Sequence, residues 1–170
     1  MADKKNSGKL VFLKPLTSKE KKQVDIWDKD LEVSKHREVD GEKKKKLKSI
    51  SFSIYDKATF KLIGNIGISS IDLKNKHAEI GMAIGDKNYW GKGYGTDTIK
   101  VILNYCFSKL DLNKVYLDVW EENKRAINCF LKCDFKNDGV LRQHVRKGNK
   151  YHNKLVMSIL RSEWEKLSQI

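Results

Sequence analysis

The chain has 170 residues, 39% of them hydrophobic, and a formal net charge of +13, which describes one ordinary domain able to bury a core without metal or disulfide support. No apolar run approaches the roughly 20 residues of a membrane span, and Met1–Lys9 is polar and lysine-rich rather than a signal peptide, so a cytoplasmic protein is expected. Three cysteines, Cys106, Cys129 and Cys133, sit in helix-like segments, and four histidines are dispersed. Cys129 and Cys133 share a helix face at i, i+4, but no second Cys/His pair with zinc spacing accompanies them, so core packing is expected and no metal.

In chain order, a polar tail (1–8) precedes one domain (9–170). Leu10–Leu13 is a short apolar run ended by Pro15, and Thr17 with Glu20 forms a capping box for a following helix on which Val24, Trp27 and Leu31 recur at i, i+3, i+7. A second short helix and a lysine-rich loop from Gly41 to Lys48 are expected next. Ser49–Tyr55, Lys61–Ile71 and His77–Ile84 are rich in β-branched and aromatic residues and are parted by turn signals, which predicts an antiparallel meander. From Thr96 the period becomes helical, with Ile99, Ile102, Leu103, Cys106 and Leu110 on one stripe. Lys114–Val119 reads as a strand, Asn123–Cys133 as a helix, and Val140–Val145 with Tyr151–Leu160 as a closing pair.

Between the third meander strand and the long helix lies Trp90-Gly91-Lys92-Gly93-Tyr94-Gly95-Thr96. Glycines let bare N–H groups approach a ligand, and the helix that follows aims its unpaired N–H groups and positive dipole end at the same point, so a phosphate or pyrophosphate is the expected guest. A P-loop is excluded, because five residues separate Gly85 from Gly91 and Gly93 stands where a Mg²⁺-binding hydroxyl belongs. A Rossmann loop would need glycine at Thr96 and a place after the first strand of a βαβ unit. An ordinary glycine-rich turn is the alternative on these residues alone.

The surroundings of the loop resemble the GNAT family of N-acetyltransferases, whose Arg/Gln-x-x-Gly-x-Gly/Ala segment binds the pyrophosphate of acetyl-CoA. The likeness runs back through His77-Ala78-Glu79-Ile80-Gly81-Met82-Ala83-Ile84-Gly85 and forward through Leu117-Asp118-Val119-Trp120-Glu121-Glu122-Asn123, Ala126-Ile127, Phe130 and Cys133-Asp134-Phe135. With Gly139-Val140-Leu141-Arg142, Gly148 and Tyr151-His152-Asn153 it is most similar to the ribosomal-protein N-terminal acetyltransferase branch and covers Phe52 to Leu160. It implies a single α/β (α+β) domain with a mixed, mostly antiparallel sheet of about seven strands, splayed between the fourth and fifth and flanked by helices. The implied activity is acetyl transfer from acetyl-CoA to a primary amine, as monomer or homodimer. The acceptor class it favours is a protein N-terminal α-amine; a polyamine or aminoglycoside is the enzymatic alternative.

The resemblance also implies roles for residues. Backbone near Met82, Ala83 and Ile84 would pair with the pantetheine arm. Trp90, Gly91, Lys92, Gly93, Tyr94, Gly95 and Thr96 would cradle the pyrophosphate, with Asn123 and Phe130 as further cofactor contacts. Glu79, and after it Asp118, are the candidate general bases, each with the alternative of a solvent-facing acid or an ion-pair partner for a lysine. Gly81 and Ala83, on Glu79's strand face, leave room for an acceptor. Asn123 also suits a helix N-cap. Three departures stand out: Trp90 replaces the Arg or Gln that opens the motif, Asp134 replaces a frequent glycine, and Phe130 takes the place of a tyrosine that protonates the leaving thiolate. Tyr94 or Tyr151 could supply that proton instead.

A basic nucleic-acid-binding module is the non-enzymatic alternative raised by the net charge. Much of the excess falls in Lys4-Lys5, Lys21-Lys22 and Lys43–Lys46, which read as tail, helix face and loop rather than as a patch with interleaved aromatics.

Overall fold

The computed structural model describes residues 6–35 and 49–167. The lysine-rich segment expected as a loop at 41–48, and the first five residues of the tail, lie outside the described residues. The order of elements is β1 (Val11–Pro15), α1 (Ser18–Lys29), β2 (Ile50–Asp56), β3 (Leu62–Asp72), β4 (His77–Ile84), α2 (Tyr94–Ser108), β5 (Lys114–Trp120), α3 (Lys124–Leu131), β6 (Lys136–Lys147), β7 (Lys150–Leu160) and α4 (Arg161–Leu167), with a 3₁₀ turn at Lys87–Tyr89 before α2. The strands form one seven-stranded sheet in the order β1-β2-β3-β4-β5-β7-β6.

Each neighbouring pair is antiparallel except β4 and β5, which run parallel over His77↔Lys114, Ala78↔Val115 and Glu79↔Tyr116. Pairing stops there, although β4 continues to Ile84 and β5 to Trp120. From Ile80 onward β4 has a registered neighbour only on its β3 side, and the sheet opens into a wedge whose edge carries Met82, Ala83 and Ile84. The expected splay is therefore present, and it lies at the end of β4 that leads into the glycine loop.

The helices cover the sheet as their apolar patterns dictate. α2 buries Ile99, Val101, Ile102, Leu103, Cys106 and Phe107 against Ile66, Ile68, Ile80, Val115, Leu117, Met157 and Ile159. Leu110, the last residue of the expected stripe, lies just past the helix end and is only partly buried. α1 begins at the expected capping box, with Thr17 and Glu20 satisfying each other's backbone N–H, and it buries Val24. Its Trp27 lies against Gly85, at the end of β4. A second short helix after α1 is not formed among the described residues; a turn follows, in which Ser34 bonds back to Asp30.

Two features tie the helix carrying the glycine loop to the sheet edge. Asp97, in the first turn of α2, accepts the backbone N–H groups of Lys9, Leu10 and Val11 at 3.1, 2.7 and 3.0 Å, fastening the chain's start to this helix. Asp56, 3% exposed at the end of β2, accepts from Thr59 at 2.5 Å and from the phenols of Tyr94 and Tyr89 at 3.3 and 3.4 Å. The Thr59 hydroxyl, aided by backbone N–H groups and Tyr94, outweighs burial and holds the Asp56 carboxyl below its ordinary range. A carboxyl with a depressed folded-state pKa stabilises the fold above its unfolded value of about 3.9, and that contribution is lost as pH falls through the folded value. Asp56→Asn is accordingly expected to lower the melting temperature at pH 7, with the gap to the parent narrowing below about pH 4. A gap that is constant with pH would show that the charge does not matter.

Candidate active site

The glycine loop closes one side of a cleft of about 360 Å³. Gly91 and Gly93 take φ of +72° and +87°, backbone that side chains rarely adopt, and Gly93 is the N-cap of α2 with no side-chain bond at that cap. A Cβ at Gly91 would meet nothing within 4 Å, and one at Gly93 only Leu10 Cδ1 at 3.6 Å. These glycines therefore serve the conformation of the loop and leave the space above it open, as an anion cradle at a helix N-terminus requires. Gly95 has a different reason: a Cβ there would press on Cys129 Sγ and Met82 Cε, both at 3.3 Å, so this glycine lets α2, α3 and β4 approach one another.

Of the residues expected at the cofactor, Met82, Ala83, Ile84, Trp90, Gly91, Gly93, Gly95, Thr96 and Asn123 line this one cleft. Its far wall is the start of α3, where Asn123 caps the helix by accepting from Ala126 N–H at 3.2 Å. Lys92, Tyr94 and Phe130 do not line it. The exposed Lys92 sits on the loop, and Tyr94 turns to Asp56 and packs edge-on to Tyr89 at 4.8 Å. Phe130, 8% exposed, joins the core beside Phe135. Phe130→Ala is expected to cost about 3–5 kcal/mol and to lower the melting temperature by roughly 10 °C. Thermal unfolding checks this; an unchanged midpoint would take Phe130 out of the core.

The cleft also contains residues that the sequence alone did not bring forward. Arg125 lays its guanidinium over the Trp90 ring at 3.5 Å, and Asn128, Cys129 and Lys132 follow along the same helix face. Their i, i+3, i+4, i+7 spacing, 125 to 132, was the available signal. Trp90 is itself pinned, its indole N–H donating to the Ile84 carbonyl at 2.7 Å. That carbonyl is thus already engaged.

Glu79 and Asp118 lie on the opposite face of the sheet from α2. Ile80 and Met82 of β4, and Val115 and Leu117 of β5, turn toward the α2 side, so Glu79, Gly81, Ala83, Tyr116 and Asp118 alternate to the other. Gly81 is exposed, with open space where a side chain would stand. Glu79 accepts from the Ser70 hydroxyl at 3.2 Å; Ser70 has a φ of +50° within the irregular stretch of β3 that swings it there. Tyr116 is registered opposite Glu79, and burial, then the charge of Glu79, pushes its phenol above the ordinary range. Asp118 forms an ion pair at 3.0 Å with Lys154, which is 6% exposed. Its structural use is plain: it neutralises a buried ammonium on β7. Tyr151 is exposed near the β6–β7 turn.

The thiols behave as packing groups. Burial pushes Cys106 and Cys133 up to about 12, so both stay protonated at neutral pH, and Cys133 donates to the Thr96 carbonyl at 3.5 Å. Asp134 takes φ +62°, the left-handed position of the glycine it replaces in the family pattern. Among the described residues no three His, Cys, Asp or Glu side chains are grouped to hold a metal ion, and no helix is long and apolar enough to cross a membrane.

Comparison with known proteins agrees with this fold. The uncharacterized N-acetyltransferase p20 of Bacillus licheniformis is 33% identical over 66% of this chain, and a spermidine N(1)-acetyltransferase of Vibrio cholerae is 30% identical over 65%. The matched segments span 63% and 64% of those relatives' lengths. A crystal structure of spermidine N-acetyltransferase from Vibrio cholerae, in complex with CoA and spermine, superposes with a TM-score of 0.81 at 23% identity, over 92% of this chain and 98% of that one. Residues 12–136 match the acetyltransferase (GNAT) domain, and the chain belongs to that family.

Proposed function

We propose that this chain transfers the acetyl group of acetyl-CoA to a primary amine, and that the acceptor is the N-terminal α-amine of a protein. The observation that carries the reading is the single cleft in which the positive-φ glycines at the start of α2, the open edge of β4 and the start of α3 meet. Those parts fit an elongated ligand with a pyrophosphate at one end: N–H groups and a helix dipole for the phosphates, and strand backbone for an amide-bearing arm. Acetyl-CoA supplies an acyl group already activated as a thioester. The chain's own residues must hold it, admit a neutral amine and take up the amine's proton.

Glu79 is assigned the proton. It lies beside the wedge, on the face where Gly81 leaves open space, and it accepts from the Ser70 hydroxyl. Asp118 is committed to Lys154 and is assigned a structural role. Met82 and Ala83 are assigned the backbone pairing with the pantetheine arm, because Ile84 is engaged by Trp90.

The acceptor follows from charge and acidity. An α-amine with a pKa of about 7.7–8.0 is partly neutral at pH 7, whereas an alkylamine near 10.4 is almost wholly protonated and asks far more of a single carboxylate. A net charge of +13 also opposes the approach of a polycation. The polyamine reading has its own support in the relatives named as spermidine acetyltransferases. Thiol release from acetyl-CoA, measured with N-terminally free peptides and with spermidine at equal concentration, separates the two. The proposal expects a higher kcat/KM for peptides, with the acetyl group on the α-nitrogen by mass spectrometry; a preference for spermidine would move the acceptor to the polyamines.

A further inference from the structure

The family pattern opens the pyrophosphate segment with Arg or Gln, and this chain has Trp90 there. The cation has not been lost from the cleft. Arg125, at the start of α3, stacks its guanidinium 3.5 Å from the Trp90 ring centroid, and both residues line the cleft beside Gly91 and Gly93. From these contacts we infer that Trp90 and Arg125 form one phosphate-binding unit, in which the indole is a platform and the guanidinium is a ligand for a phosphate group of the coenzyme. The inference rests on the reading of this cleft as an acetyl-CoA site.

Three observations favour it. Trp90 is itself fixed, because its N–H is held by the Ile84 carbonyl, so it offers a rigid face. A guanidinium lying flat on a ring presents its N–H groups around its rim, in the plane of the stack, where they remain available to an anion. Among the described residues, the acid whose charge acts on Arg125 is Glu32, and its carboxylate is bonded to Lys87 at 2.8 Å. Arg125 is thus oriented by stacking rather than by a carboxylate clamp. The arrangement supplies the positive charge that Trp90 cannot, from the opposite wall of the cleft.

Coenzyme A has two kinds of phosphate that such a group could meet, the pyrophosphate and the 3′-phosphate of its ribose. Calorimetric titration of the full chain with coenzyme A and with 3′-dephospho-coenzyme A distinguishes them. Arg125→Ala is expected to weaken coenzyme A about tenfold or more, as loss of a charge-assisted bond does, and to flatten the salt dependence of binding. If the partner is the pyrophosphate, dephospho-coenzyme A weakens equally; if it is the 3′-phosphate, parent and variant bind dephospho-coenzyme A alike. Trp90→Ala should also weaken binding, and Trp90→Phe, which keeps a ring, should weaken it less.

Because Trp90 acts through Arg125, the double variant should bind no worse than Arg125→Ala alone, which a merely structural role for the tryptophan would not produce. Full additivity of the two losses would overturn the unit. Parent-like affinity of a folded Arg125→Ala chain would overturn the phosphate contact. Failure of the parent itself to bind coenzyme A would strike the reading of the cleft, a different result from either.

Discussion

Gly93→Asp is expected to abolish detectable binding of acetyl-CoA by a chain that still folds. Gly93 caps α2 at φ +87°, so any side chain strains the loop by about 1–2 kcal/mol, a cost the rest of the domain can absorb. Space is not the obstacle, since a Cβ would meet only Leu10 at ordinary contact distance. Charge is. A carboxylate placed about 4 Å from a phosphate repels it by about 4 kcal/mol at an effective dielectric constant near 20, close to three decades of affinity. The thermal shift given by acetyl-CoA should vanish with it, because a ligand stabilises only in proportion to its binding. Gly93→Ala has the same strain without the charge and should retain much of the affinity. Equal loss in both variants would mean that loop geometry, rather than an anion at this point, governs the site.

Glu79→Gln is expected to lower turnover at pH 7 by about 100-fold or more, the usual contribution of a positioned general base. The deficit should shrink as pH rises past about 8, where an α-amine loses its proton unaided. Affinity for acetyl-CoA should stay unchanged, because Glu79 does not line the glycine-loop cleft and lies on the sheet face opposite α2. Asp118→Asn provides the contrast. It removes the charge paired with the buried Lys154 ammonium, so a lower melting temperature is expected while the shape of the pH–rate profile is retained. Should the Glu79→Gln deficit be the same at every pH, the proton is taken by water or by another group.

Much of this was legible in the sequence because two kinds of pattern are strong in it. The β-branched runs at β2, β3 and β4 and the apolar stripe of α2 have no competing reading, and the glycines at 91 and 93 stand where only left-handed backbone completes the turn. Weak patterns were lost. In β6 only Val145 is buried, so nothing in its composition marks a strand beginning at Lys136 rather than Val140. α4 is seven residues long and is held by Trp164 against Phe107 and by Arg161 bonding to Leu112 and Asp111, contacts that no local period announces.

The site shows the same division. Backbone roles could be placed because they follow from strand and loop geometry, whereas side chains that meet across elements could not. Arg125 and Trp90 are 35 positions apart, 125 less 90, and only the packing of α3 beside the loop stacks them. Phe130 shows the reverse: one face of a short helix can turn to the cleft or to the core, and contact with Phe135 takes it to the core. Asp118 stands second to Glu79 as a candidate base in the sequence, and only the fold brings Lys154, on a strand distant in sequence, beside it.

The measurement that bears most directly on the whole account is the release of coenzyme A thiol from acetyl-CoA on addition of a primary-amine acceptor to the purified chain, with the product read by mass spectrometry. The account predicts thiol release in equal amount to an N-acetylated amine, dependent on the acceptor and lost in Gly93→Asp. Tight binding of acetyl-CoA with no amine-dependent thiol release, from peptides and polyamines alike, would contradict it.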